Sequence, residues 1–436
     1  MPLYDLAIIG GGIAGLGIFE SAGRAGLRVV LLEGRGVPGR ETTAVTSGLL
    51  HGGLRYLPYD VATSALMCRE IARLRGARPD LLTREAFLWP VYRGERLGLG
   101  LIGALQDEYD AFAGLRGARR HARLSSDEAV AVFPGLRREG LLGAEVFDEW
   151  RVDVPGLVAS LVDAGRAAGG ELLTGWRVVA LSARDGRIAA ATAEDGRGGR
   201  LEIEARVFVN AAGPGAEKVA ELAGASSVRL RLRKGVHLVV AGEPPPHGLI
   251  FTGPGGRRIG VYPRPTETWV GPTDQAHDGP PDELAVSEGE REGLRLALAA
   301  VLPGLAARPC RAVAGLRPIP RRSGAACLLS REHHVFDHSA EGLSNFVSVA
   351  GGKLTTYRPL GEDVVAAVLR KLGRTPPPRP LVGGPRGPVG ALCAFAARGR
   401  AVGMAASTLL LAGYAVRRVL AGRGRAGWAA FEAGTR

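Results

Sequence analysis

The run Gly10-Gly11-Gly12-Ile13-Ala14-Gly15 constrains this chain more than any other stretch, because of what flanks it. Before it comes a short apolar segment, Leu6-Ala7-Ile8-Ile9. After it, Ile13 to Ala25 carries apolar residues at helical spacing and stops at Gly26. Val29-Val30-Leu31-Leu32 then reads as a second buried strand that ends on Glu33. Strand, glycine loop, helix and strand make a βαβ unit. Within it, Gly10 permits the tight turn, Gly12 lets backbone approach a pyrophosphate, and Gly15 lets helix and strand pack closely. The helix start offers N–H groups and partial positive charge, and Glu33 stands where a carboxylate accepts from ribose hydroxyls. The expectation is a dinucleotide site.

This motif alone does not separate FAD from NAD. Its place at the extreme N-terminus favours FAD, as does a second glycine-rich strand-to-helix junction, Ala350-Gly351-Gly352-Lys353-Leu354-Thr355-Thr356. A flavin gains negative charge on one ring edge when reduced, and a helix N-terminus there stabilises it.

Composition narrows the rest. A length of 436 residues predicts two domains and a tail. The net charge of +13 favours an anionic partner, but no basic block interleaved with aromatics tracks a nucleic-acid strand. The cations are mostly arginine; the lysines are Lys218, Lys234, Lys353 and Lys371. Cys68, Cys310, Cys327 and Cys393 include no C-x-x-C pair, so reduced cytosolic thiols are expected rather than a disulfide framework or a metal site. The first strand begins almost at once, so no signal peptide is expected. Ala401 to Val416 falls short of a spanning helix and reads as a C-terminal helix packed on the body, with membrane-interface contact as the alternative.

Val61 to Leu74 and Leu157 to Ala168 read as amphipathic helices, and Leu172 to Asn210 as a β-meander turning at Asp185-Gly186. Val228 to Thr273 favours strands, Asp282 to Leu302 a helix, and Phe346 to Ala350 a strand that leads into a helix over Leu354 to Leu369. Thr375 to Pro388 reads as a linker. The fold class expected is α/β: a Rossmann-like FAD-binding domain built from separated segments, a β-sheet substrate domain and a short helical tail. The segments are 1–78, 149–226 and 316–374 for the first domain, 79–148 and 227–315 for the second, and 375–436 for linker and tail.

Several further motifs carry a resemblance. They are Leu50-His51-Gly52-Gly53-Leu54-Arg55-Tyr56, Val209-Asn210-Ala211-Ala212-Gly213-Pro214 and Lys234-Gly235-Val236-His237. Downstream stand Thr273-Asp274, Gly315-Leu316-Arg317-Pro318, Ser330-Arg331-Glu332-His333 and Gly351 to Arg358. In this order they resemble the FAD-dependent glycerol-3-phosphate dehydrogenases of the D-amino-acid-oxidase-like flavoproteins.

The resemblance implies oxidation of the C2 alcohol of sn-glycerol 3-phosphate to dihydroxyacetone phosphate. Hydride goes to flavin N5 and electrons then pass to a quinone or another acceptor. It places Arg55, Tyr56, Arg317, Arg331 and Lys353 at substrate-binding positions. Arginine forks suit phosphate oxygens, each charge-assisted bond being worth about 1.5–3 kcal/mol. His237 is the candidate base because imidazole titrates near neutrality, and Lys353 is its rival, with Arg317 assisting. His51, His333 and His334 are supporting candidates. The cofactor positions implied are Gly10, Gly12, Ile13, Ala14, Gly15, Glu33, Ser47, Gly48, Leu49, Val178, Ala211, Ala212, Gly213, Gly352, Lys353, Leu354 and Thr355. A partner subunit or the cytoplasmic membrane face is a further implied contact.

The chain departs from the family pattern at Val236, at Gly215 after Pro214, over Thr42 to Thr46, and at Gly271-Pro272. Two competing readings follow. One is a flavoenzyme for another 2-hydroxy acid or amine, which needs one arginine for a carboxylate. The other is a flavin electron-relay subunit that requires a partner.

Overall fold

The computed structural model describes residues 4–58, 60–321, 333–378 and 427–435. Its strands form two sheets. In the first, Tyr4–Ile9 is central and pairs in parallel with Arg200–Asn210 on one side and Val29–Glu33 on the other. Phe346–Ala350 and Glu171–Thr174 extend the parallel core, and His334–Asp337 closes one edge antiparallel. Tyr4–Ile9, Val29–Glu33 and Phe346–Ala350 are near-continuous buried runs because both faces of the sheet are covered there. Helices Ile13–Arg24, Val154–Ala167 and Tyr357–Lys371 bury one face around Leu6, Ile8, Leu16 and Phe19. The other face is closed by helix Ala216–Leu222 and by the hairpin Trp176–Arg184 with Arg187–Asp195. That hairpin turns where the sequence indicated, with Asp185 and Gly186 both at positive φ, 50° and 71°.

The second sheet is predominantly antiparallel. Its order runs Gln275–His277, Leu230–Ala241, Glu267–Gly271, Arg258–Pro263, Gly248–Thr252, Leu82–Tyr92, Leu141–Val152 and Leu49–Leu50. Cys310–Pro320 adds along Leu230–Ala241, and Ala122–Leu124 along Leu141–Val152. One face packs on helix Glu288–Ala299, and the other on helices Val61–Ala77 and Leu99–Asp110.

Several elements differ from the sequence expectation. Leu49–Leu50 pairs with Arg151 and Trp150, inside the second sheet rather than the first. Leu141–Val152 and Cys310–Pro320 run unbroken across the limits expected at 148 and 315. The helix expected from Asp282 begins only at Glu288. A capping box sets its start: Ser287 Oγ accepts from the Glu290 amide at 3.2 Å, and Glu290 Oε2 accepts from the Ser287 amide at 2.9 Å. Leu354–Thr356 is a 3₁₀ turn, and the α-helix proper starts at Tyr357.

The apolar segment from Ala401 to Val416 and most of the expected linker lie outside the described residues. The last described helix, Trp428–Glu432, docks on the second sheet. Gly427 donates its amide to the Arg123 carbonyl at 2.8 Å, and Phe431 is fully buried beneath the Arg119 guanidinium. Among the described residues no helix is long and apolar enough to cross a membrane. No acidic, histidine or cysteine cluster among them could hold a metal ion.

Candidate active site

The glycine loop lies where the central strand of the first sheet meets its helix. Gly10 has φ +106°, and a Cβ there would stand 2.7 Å from the Ala211 carbonyl oxygen. A Cβ on Gly15 would run into the Gly10 carbonyl oxygen, so the helix rests directly on the turn. Gly12 is different: a Cβ there meets only Thr43 Oγ1, at an ordinary 3.7 Å. The protein leaves that position open, as close approach by a pyrophosphate requires. No side chain caps the helix at Gly12, while the Ile13 amide donates to Thr43 Oγ1 at 3.0 Å. A helix N-terminus left in this state suits phosphate oxygens.

Glu33 sits at the end of its strand, but its carboxylate is already engaged. It accepts from the Gly11 amide at 2.7 Å and the Arg35 amide at 2.7 Å. Its remaining lone pairs are what a ribose hydroxyl would use. Ala211 donates its amide to Ile9 O at 2.9 Å, and the Ala212 amide donates to the buried Asn210 Oδ1 at 3.2 Å; both hold Ala211-Ala212-Gly213 against Gly10. Val178 is buried in the cluster that also contains Leu32. Ser47, Gly48 and Leu49 lie where the chain passes from the first sheet to the second.

The loop His51-Gly52-Gly53 rests on a buried polar group. Glu149 accepts from the Gly52 amide at 3.1 Å and from the Tyr109 hydroxyl at 2.6 Å, with Arg116 Nη1 at 3.7 Å. Burial pushes the Glu149 carboxyl up to about 7 against the pull of Arg116. Removing one charge from a buried pair costs about 3–5 kcal/mol. Glu149→Gln is therefore expected to lower the thermal unfolding midpoint markedly; an unchanged midpoint would mean that Arg116 is compensated elsewhere. Beyond this anchor, Leu54–Tyr56 forms a 3₁₀ turn. The Arg55 guanidinium lies 4.8 Å from the Tyr56 ring centroid and Lys353 Nζ lies 5.0 Å from it. Residues far apart in sequence thus meet at one ring.

Opposite this loop lies one face of the second sheet. Register pairs Arg233 with Arg317, Gly235 with Gly315 and His237 with Val313, placing these residues on a common face. A Cβ on Gly315 would meet Val45 and Thr42, and Thr42 Oγ1 donates to Leu316 O at 2.9 Å, so the face abuts the loop from 42 onward. Arg317 crosses Gly235, where a Cβ would run into its guanidinium. It donates to Asp274 Oδ1 at 3.2 Å and Thr273 O at 3.2 Å.

His237 corrects one expectation. The ring is 4% exposed and neither nitrogen has a hydrogen-bond partner. Burial, followed by the charges of Arg317 and Arg264, pushes it down to about 3. It does not titrate near neutrality. Because the folded value lies below the ordinary 6.5, acidification from about 6.5 toward 3 protonates the unfolded chain first and removes stability. His237→Asn is expected to flatten stability against pH in that window, read by denaturant unfolding at several pH values; an unaltered slope would contradict the assignment.

The structure adds residues the sequence did not single out. Thr43 receives the Ile13 amide. Arg264 lies 3.8 Å over the Trp269 ring and donates to Thr46 O at 3.0 Å. Tyr262 is buried near Arg317, Ser47 and Arg55. Read in sequence, these are an ordinary loop threonine, a strand tyrosine and an arginine just past the strand end, and only strand pairing shows where they meet. The supporting histidines make local contacts: His51 stacks on Tyr56, His333 pairs with Asp363 at 2.9 Å, and His334 meets Phe336 edge-on. Arg331 lies outside the described residues.

Residues 5–358 match the family described as FAD dependent oxidoreductase. An aerobic glycerol-3-phosphate dehydrogenase of Staphylococcus aureus is 30% identical over 380 residues, covering 85% of this chain and 67% of that protein. A glycerol-3-phosphate dehydrogenase from Bacillus halodurans, solved with FAD, superposes with a TM-score of 0.68 at 23% identity, covering 99% of this chain and 81% of that one. An L-alpha-glycerophosphate oxidase from Mycoplasma pneumoniae with FAD bound gives 0.64 at 18% identity, covering 87% and 97%. With its glycine cradle, its two-sheet fold and these relatives, the chain belongs to the FAD-dependent oxidoreductase family and, within it, to the glycerol-3-phosphate dehydrogenase type of enzyme.

Proposed function

We propose that this enzyme oxidises the secondary alcohol of sn-glycerol 3-phosphate to dihydroxyacetone phosphate and passes the electrons to a quinone or another acceptor. The observation that supports it most is the gathering of cations. Arg55 and Lys353 meet over Tyr56, while Arg317 and Arg264 both bear electrostatically on His237. A phosphate dianion leaving water needs several fixed charged donors, whereas the carboxylate of a hydroxy or amino acid is satisfied by one bidentate arginine.

Bound FAD supplies the two-electron acceptor for the C2 hydride. In this reading Gly10, Gly12, Ile13, Ala14 and Gly15 hold its pyrophosphate and Glu33 its ribose. Ser47, Gly48, Leu49, Val178, Ala211, Ala212, Gly213, Gly352, Lys353, Leu354 and Thr355 line the rest of its path. Arg55, Tyr56, Arg317 and Lys353 bind and orient the substrate, with Arg331 as a further contributor.

His237 is the better acceptor for the hydroxyl proton. Its ring is neutral with both nitrogens unpaired, so it accepts without first losing a proton, as Lys353 would have to. A dianion bound beside Arg317 and Arg264 offsets the two charges that hold the imidazole down, and so raises its basicity in the complex.

Steady-state turnover with an artificial electron acceptor tests the proposal. Glycerol 3-phosphate is expected to be oxidised and glycerol ignored. Turnover of glycine or lactate in its place would favour a carboxylate substrate.

A further inference from the structure

Tyr262 lies on the sheet face opposite the 42–57 loop, at a point where the other candidate groups converge. Strand register sets it beside Trp269, which in turn stands beside Val239, two residues along from His237. Its ring lies back over Gly260 of the same strand, where a Cβ would run into the ring and hydroxyl. The Tyr262 and His237 rings meet edge-on at 6.4 Å. Only 8% of the residue is exposed.

The surroundings of the hydroxyl are distinctive. The Ser47 side chain is its hydrogen-bond partner, and the charges of Arg317 and Arg55 both act on it. Ser47 Oγ already accepts from the Leu49 amide at 3.3 Å, which suits its hydroxyl to donate to the phenol oxygen and leaves the phenol its own proton to give. His237 does not take that proton, since both imidazole nitrogens lack a partner. Burial pushes the phenol up to about 12, so the group stays a neutral donor at every working pH. A buried phenol that stands edge-on to the unpartnered His237 ring and feels the charges of two arginines is matched by an anion that the same two arginines bind.

We infer that Tyr262 is a substrate-binding residue whose phenol donates to a phosphate oxygen held by Arg55 and Arg317. This deepens the proposed function and rests on its phosphorylated substrate. Tyr262 thereby adds a neutral, directional donor to a site otherwise built from charges. It favours a tetrahedral oxyanion with several acceptor oxygens over a planar carboxylate, which two arginines already saturate. Ser47 acts through Tyr262 as a positioning residue. It ties the phenol to the loop beside the cofactor cradle.

The test compares the wild-type holoenzyme with Tyr262→Phe, which keeps the ring that fills the space over Gly260. FAD content and the thermal midpoint establish that the variant is folded. Two readouts follow: KM for glycerol 3-phosphate, and the concentration of inorganic phosphate that half-saturates perturbation of the flavin spectrum. Both are expected to rise about tenfold on loss of one hydrogen bond to a charged group. If the wild type oxidises glycerol 3-phosphate and the folded variant matches it in both readouts, the inference fails while the proposed function stands. If the wild type does not oxidise glycerol 3-phosphate, the proposed function fails. In that case, phosphate perturbation that weakens in Tyr262→Phe still supports an oxyanion donor, and equal or absent perturbation overturns it. A variant that folds only without FAD is replaced by Tyr262→Leu, which removes the phenol while adding neither bulk nor a new donor, and the same two readouts decide.

Discussion

Arg317→Met will lower kcat/KM for glycerol 3-phosphate by about a hundredfold or more, because it removes a charged donor from the proposed phosphate site. The side chain is held from behind, by Asp274 and the Thr273 carbonyl, and laid across Gly235. It therefore meets a ligand with little rotamer freedom left to lose. Its removal should leave the fold standing, since Asp274 retains Arg233 at 3.0 Å and Arg257 at 3.8 Å. A second signature accompanies the loss. Arg317 is one of two charges that depress His237, so the imidazole should titrate higher in the variant, which histidine NMR across pH reads directly. Unchanged turnover with an unchanged His237 would remove Arg317 from the site. Unchanged turnover with a raised His237 would leave it near the imidazole but off the substrate.

The second large effect concerns the cradle. Gly15→Ala is expected to yield protein with little or no bound FAD, because the added methyl collides with the Gly10 carbonyl oxygen. Relieving that collision must lift the helix start away from the strand end. Overpacking of this kind costs about 1–3 kcal/mol of stability. The loss of cofactor is larger in consequence, since the helix amides and the Gly10 turn no longer converge on one point. Gly12→Ala is the informative companion. Its methyl has room in the protein itself, so the apoprotein should be as stable as wild type while FAD affinity falls. Flavin fluorescence titration with thermal unfolding separates the two variants. If Gly12→Ala binds FAD as tightly as wild type, the pyrophosphate does not approach at that position.

What the sequence disclosed and what it concealed follow from the range of the interactions. The glycine loop, the hairpin at Asp185-Gly186 and the strand at Phe346–Ala350 are local, and their residues state their conformation directly. The Ser287 capping box is also local, and it starts the helix at Glu288 although the sequence reading extends that helix back to Asp282. Non-local pairing was not legible. Leu49–Leu50 reads as part of the first domain but pairs in the second sheet with Leu141–Val152, so the turn that holds Arg55 and Tyr56 follows a strand of that sheet. Motif order pointed to Arg317 and His237, but the environment of His237 depends on burial among residues from four strands. No spacing rule could show that its imidazole is held neutral. Tyr262 and Arg264 were hidden for the same reason: one is an ordinary strand residue and the other lies just past the strand end, and only the pairing with Glu267–Gly271 sets Tyr262 beside His237.

The proposed function requires that this chain hold FAD and use it to oxidise a phosphorylated alcohol. Anaerobic mixing of the purified holoenzyme with glycerol 3-phosphate tests it most directly. The visible absorption band of the oxidised flavin is expected to bleach in a single turnover, with dihydroxyacetone phosphate formed in equal amount to the flavin reduced. A flavin that stays oxidised with glycerol 3-phosphate, yet bleaches with dithionite, would contradict it.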